Sequence, residues 1–124
     1  MIKDEGLKAY ADLLESHGFA IYEPIGSMGT YFLYSREVDA QECFGYVQVE
    51  YFGGYSQRMP IKPSKENGSA ITVSGVRDEL TVEAARAIAK PTNRGAYVNG
   101  AQQNYEDPSW LARSYVKRDP KGQS

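Results

Sequence analysis

The chain has 124 residues, enough for one domain and too few for two of ordinary size. Fourteen basic against sixteen acidic side chains leave a net charge of −2, which excludes the positive footprint of a general nucleic-acid coat. One cysteine and one histidine exclude an internal disulfide and a Cys/His zinc site within one chain.

No window approaches the roughly 18 apolar residues of a membrane span, and no apolar leader pattern follows Met1. With a lone thiol suited to a reducing compartment, a cytoplasmic location is the expectation. The composition is distinctive in its ten Tyr, four Phe and one Trp, and the question it sets is where so many rings go.

From Asp4 to His17, the apolar residues Leu7, Tyr10, Ala11 and Leu14 recur at helical spacing, which predicts a helix over 4–17 stopped by Gly18. His17 falls in its last turn and has no partner for base catalysis. Residues 19–23 alternate as a strand ended by Pro24. Gly26-Ser27-Met28-Gly29 then forms a connection that introduces no helix, so it is neither a dinucleotide fingerprint nor a P-loop.

Residues 30–38 and 41–52 are the most strand-like in the chain and read as a hairpin about Asp39-Ala40. If the turn has two residues, Val38 pairs with Gln41, Phe32 with Val47, Tyr34 with Gly45 and Tyr31 with Gln48; Asp-Ala is a poor type I′ pair, and a longer loop is the alternative. Phe32, Tyr34, Cys43, Val47, Val49 and Tyr51 then share one face, and Tyr31, Leu33, Phe44 and Tyr46 the other. Gly53 to Ser69 reads as a long loop with one short extended piece near residues 57–61, and its Pro60-x-x-Pro63 as a rigid turn.

A strand at 70–74 follows, then a short alanine-rich helix at 82–90 with Thr81 as N-cap and Pro91 as stop. Beyond it the chain turns polar. Asp107-Pro108 offers a cap for a short helix at 108–116 carrying Trp110 and Tyr115, and Arg113, Lys117, Arg118 and Lys121 make the end basic. Residues 1–62 hold five basic and nine acidic side chains, net −4, while 63–124 hold nine and seven, net +2.

The expected fold is therefore α+β: a single domain over 1–90 in which a four-stranded antiparallel sheet, in the order αββββα, packs one face on its helices. A polar extension over 91–124 follows. Catalysis is not expected. Cys43 lies on the core face of its strand beside Glu42, Glu37, Asp39 and Glu42 serve a charged hairpin tip, and no nucleophile elbow or metal-binding helix motif occurs. No cofactor or metal is expected either.

The stretch from Glu42 to Val49 resembles, at its centre, the first ribonucleoprotein motif of RNA-recognition domains. The resemblance implies that Phe44 and Tyr46 stack bases, although Glu42, Cys43 and Val49 replace the motif's basic, glycine and final aromatic positions.

Two helices cover one face of such a sheet, which leaves Tyr31, Leu33, Phe44 and Tyr46 as an apolar patch on the other. With Tyr55 and Arg58 from the following loop, they form the expected contact surface for another protein or a second copy of the chain. Small size and the lack of a catalytic set are compatible with an accessory or inhibitor protein, of phage or mobile-element type. The alternative is a module stacking a nucleotide or single-stranded nucleic acid on the same rings. A third expectation has the C-terminal segment fold back so that Trp110 and Tyr115 cover the patch.

Overall fold

In the computed structural model, which describes residues 2–26, 28–58, 79–90 and 115–119, the first helix α1 (Glu5–Ser16) buries the expected stripe of Leu7, Tyr10, Ala11 and Leu14. Asp4 caps it by accepting from the Leu7 amide at 3.0 Å, and Gly18 leaves it at a φ of +90°. Strands β1 (Ala20–Pro24), β2 (Tyr31–Val38), β3 (Gln41–Val49) and β4 (Tyr55–Arg58) follow, then helix α2 (Val82–Ile88) and strand β5 (Tyr115–Lys117). Thr81 caps α2 by accepting from the Ala84 amide at 3.0 Å.

These strands form one antiparallel sheet in the order β4-β3-β2-β1-β5. The α+β class and the antiparallel sheet are as the sequence predicts, with five strands in place of four among the described residues. The β2–β3 register is also the expected one, from Val38↔Gln41 to Tyr31↔Gln48. Asp39 and Ala40 both hold positive φ angles, 52° and 62°, which is the type I′ geometry that matches strand twist even though neither residue is glycine.

Both helices lie on the face carrying Ile21, Phe32, Tyr34, Cys43 and Val47, which they bury together with Phe19, Val82 and Ala85. The Arg36 guanidinium, on this side of β2, reaches the end of α2 and donates to the carbonyls of Ala89 (2.7 Å) and Arg86 (3.0 Å). A cation there satisfies carbonyls that a helix C-terminus leaves without partners.

Three expectations are corrected. β3 ends at Val49, because Gly53 and Gly54, at φ of +96° and +78°, close a tight turn in which the Glu50 amide donates to the Gly54 carbonyl. Tyr51, expected in the core, is consequently 92% exposed. The short extended piece expected near residues 57–61 is the strand Tyr55–Arg58, which among the described residues is the one preceding α2; the expected strand at 70–74 lies outside the described residues.

The third correction concerns the C-terminal region. Residues 115–117, placed by the sequence in an extension separate from the 1–90 domain, pair with β1 as an edge strand; the remainder of the expected 108–116 helix, with Trp110, lies outside the described residues. β5 is short, and its signal is one β-branched residue between a tyrosine and a lysine. Its pairing comes from tertiary contacts.

The hairpin yields two tests. An L-residue in the left-handed region costs about 1–2 kcal/mol, so Ala40→Gly should stabilise the domain by about 1 kcal/mol in urea unfolding once glycine's own chain entropy is deducted. At Gly45, opposite Tyr34, an added Cβ would overlap the buried Tyr34 ring. Gly45→Ala should therefore destabilise by roughly 1–3 kcal/mol, and an unchanged urea midpoint would contradict this packing.

Candidate docking surface

Period-2 alternation carries the second sheet face. Tyr22 from β1, Tyr31 and Leu33 from β2, Phe44 and Tyr46 from β3 and Tyr115 from β5 all project to it. The rings meet in sequence across the strands. Tyr22 lies 5.7 Å from Phe44, Tyr31 lies 5.4 Å from Tyr46, and Tyr115 meets Tyr31 edge-on at 6.3 Å and 83°. Such offset and edge contacts suit the aromatic quadrupole.

This layer is not the bare patch that the sequence suggests. Leu33 is 2% and Phe44 1% exposed, Tyr22 is buried beside them, and Tyr46 and Tyr115 are half-buried against the cluster. Of the expected contact residues, Tyr31, Leu33, Phe44 and Tyr46 do share one face, but only Tyr31 and Tyr46 keep partial access to solvent. Tyr55 is elsewhere: it packs against the helix-side core and donates from its hydroxyl to Asp4 Oδ2 at 2.8 Å. Arg58 sits at the rim of the second face, paired with Glu50 at 3.2 Å.

Polar groups close both ends of the layer. At one, Glu42 Oε2 accepts from the Tyr22 and Ser35 hydroxyls, each at 2.8 Å. At the other, Glu50 Oε1 accepts from Ser56 Oγ, from Gln48 Nε2 and from Arg58 Nη2, and the Ser56 and Gln48 hydrogen bonds hold its carboxyl below the usual range. Tyr46 donates to Gln48 Oε1 at 2.8 Å and so joins the same network.

The exposed apolar surface lies just beyond Glu50. Tyr51 and Phe52 are 92% and 95% exposed, with centroids 4.9 Å apart at 84°. The Val49 amide donates to the Thr30 carbonyl, so the β3–β4 turn lies at the same sheet end as the β1–β2 connection, where Ile25 and Met28 are 54% and 81% exposed. Four of the six exposed large apolar side chains among the described residues thus gather at one end of the sheet; Val116 of β5 lines a cleft with Ile25 beside them, and Leu13 lies apart. The consecutive glycines after Phe52 were the available signal for this turn.

Among the described residues, no group of three or more His, Cys, Asp or Glu side chains is placed to hold a metal ion, and no helix is long and apolar enough to cross a membrane. Compared with known proteins, the chain matches no family model, no curated protein and no solved structure.

Burial pushes Tyr10, Tyr22 and Tyr46 up to about 12, and moves Tyr34 and Tyr115 upward as well. The folded state therefore keeps these phenols neutral where an unfolded chain, titrating near 10, ionises them. Stability from this source is complete below about pH 10 and declines as pH rises from 10 towards 12. Urea midpoints measured across that range, with phenolate absorbance followed in parallel, should fall together with the appearance of phenolate; a midpoint level up to pH 12 would contradict the burial.

Proposed function

We propose that the protein is a non-enzymatic binding module that docks a partner protein through the sheet end formed by Tyr51, Phe52, Ile25 and Met28, with Tyr31, Tyr46 and Arg58 alongside. The observation that carries this is the almost complete exposure of two adjacent aromatic side chains on a turn whose backbone is fixed by two hydrogen bonds and two left-handed glycines. Burying an aromatic side chain gains about 1.5–3 kcal/mol, and aromatic anchors held on rigid supports are typical of the few residues that dominate protein interfaces. An apolar cluster of this kind at one end of a small domain suits an interaction site better than a solvated loop.

The nucleotide-stacking alternative finds less support. Phe44, the first of its two stacking rings, is 1% exposed and presents no free face to a base. The docking surface also differs from the one expected from sequence, since it is centred on the β3–β4 turn rather than the middle of the sheet.

The test is differential recovery. A Tyr51→Ser, Phe52→Ser variant should melt within about 0.5 kcal/mol of wild type, as exposed substitutions do, and should fail to retain a protein that wild type captures from its native cell and that rebinds when purified. Retention of the same purified partner by the double variant would overturn this surface.

A further inference from the structure

The end of the second sheet face nearest the β2–β3 turn is polar, and it is hollow. A cleft of about 360 Å³ opens there, within the size range of small-molecule sites. Three of its lining residues, Gly18, Ala20 and Ser35, are small and leave the space, while Glu37, Glu42 and Lys117 bring the charge. Ala20 and Ser35 follow Tyr22 and Leu33 at period-2 spacing, and Glu42 precedes Phe44, so the cleft continues the aromatic layer.

The charges around the cleft do not neutralise one another. Glu37 and Glu42 are direct cross-strand partners, and like charges set opposite each other cost stability. Arg36, the adjacent cation, is turned to the helix side, where the Ala89 and Arg86 carbonyls hold its guanidinium. Lys117 shares the cleft, yet among the described residues its ammonium pairs with neither carboxylate, and the Glu37 carboxylate has no hydrogen-bond or ion-pair partner. Glu42, in contrast, is fixed in place. Its Oε2 accepts from the hydroxyls of Ser35 and Tyr22, residues that are 2% and 7% exposed. Two buried donors thus orient one carboxylate beside another, and a local cost of this kind is characteristic of a site that serves a ligand.

We propose that this cleft binds a basic amino acid, with its cationic side-chain end between Glu37 and Glu42 and its α-carboxylate on Lys117. Two carboxylates and one ammonium on the protein are the charge complement of a molecule bearing two cationic groups and one carboxylate. The preset Glu42 lowers the ordering cost of binding, and the small residues at 18, 20 and 35 give the ligand its room. The cleft lies at the opposite end of the hairpin from Tyr51 and Phe52 and does not depend on the role proposed for them.

Amide chemical-shift titration of the isotope-labelled full chain tests this with three probes. L-lysine carries all three groups, norleucine lacks the side-chain ammonium, and cadaverine lacks the carboxylate. L-lysine should shift the amides of Ser35, Glu37, Glu42 and Lys117 with a Kd of about 1 mM or tighter. Norleucine and cadaverine should each bind about ten-fold more weakly. Glu37→Gln should lose a similar factor for L-lysine while its urea midpoint stays at or above that of wild type, because the like-charge pair is gone. Lys117→Gln should remove the preference for L-lysine over cadaverine. Absence of saturable shifts at these four amides with L-lysine would overturn the proposal. Equal affinity of wild type for L-lysine and either of the other probes would do the same, as would L-lysine binding that Glu37→Gln leaves unchanged.

Discussion

Everything else in the fold is hung from the contact between Tyr34 and Gly45. The two residues are cross-strand partners, and the absence of a side chain at Gly45 lets the Tyr34 ring lie over β3 in a fully buried position. From there the ring meets Phe19 edge-on at 5.6 Å and Tyr10 at 6.3 Å, which brings α1 and the entry to β1 onto the same point. Its hydroxyl donates to Gln57 Oε1 at 2.6 Å, and Gln57 Nε2 donates to the Glu79 carbonyl at 2.7 Å. The Tyr10 hydroxyl, 2.9 Å from both Gln57 Oε1 and the Thr81 carbonyl, shares its proton between them. One glycine thus makes room for a ring whose polar end ties β4 and the start of α2 to the hairpin. A buried amide of this kind is costly unless satisfied, and here Gln57 has its partners.

The same sheet uses rings on its second face, and this decides which of them are available for recognition. Tyr22, Leu33 and Phe44 form a small second core rather than a binding platform. Aromatic residues that lie within the strands are largely used in packing. Those that follow the last ladder position of β3, Tyr51 and Phe52, are not, because the glycine turn carries them away from both faces. The proposed function therefore rests on the boundary of a strand, and most of the tyrosines among the described residues belong to the two cores or pack against them.

Much of the architecture was legible in the sequence because it is encoded by short-range periodicity. The α1 stripe and its Gly18 stop, the Thr81 cap and, given a two-residue turn, the β2–β3 register follow from spacing and turn length. Facing within the hairpin was legible too, down to Tyr31, Leu33, Phe44 and Tyr46 sharing a side. What escaped depends on contacts distant in sequence. Tyr51 continues an alternating pattern that the Gly53-Gly54 turn interrupts. Tyr55 reaches Asp4, 51 residues away, and so belongs to the helix side. Tyr115 is a strand residue because Arg118 finds carboxylates on α1 and β1, 106 positions back in the case of Asp12. Among the described basic residues of the C-terminal end, Arg118 meets acidic groups of its own chain.

The central claim is that the sheet buries rings on both faces and, among the described residues, leaves Tyr51 and Phe52 of the β3–β4 turn as the exposed aromatic side chains. Hydroxyl-radical footprinting of the intact chain, read residue by residue by mass spectrometry, measures this directly. The account predicts rapid oxidation of Tyr51 and Phe52, with Tyr34, Phe32 and Phe44 protected at least ten-fold until the chain is unfolded. Oxidation of Phe44 at a rate close to that of Phe52 in the folded protein would contradict it and return the middle of the sheet as the open face.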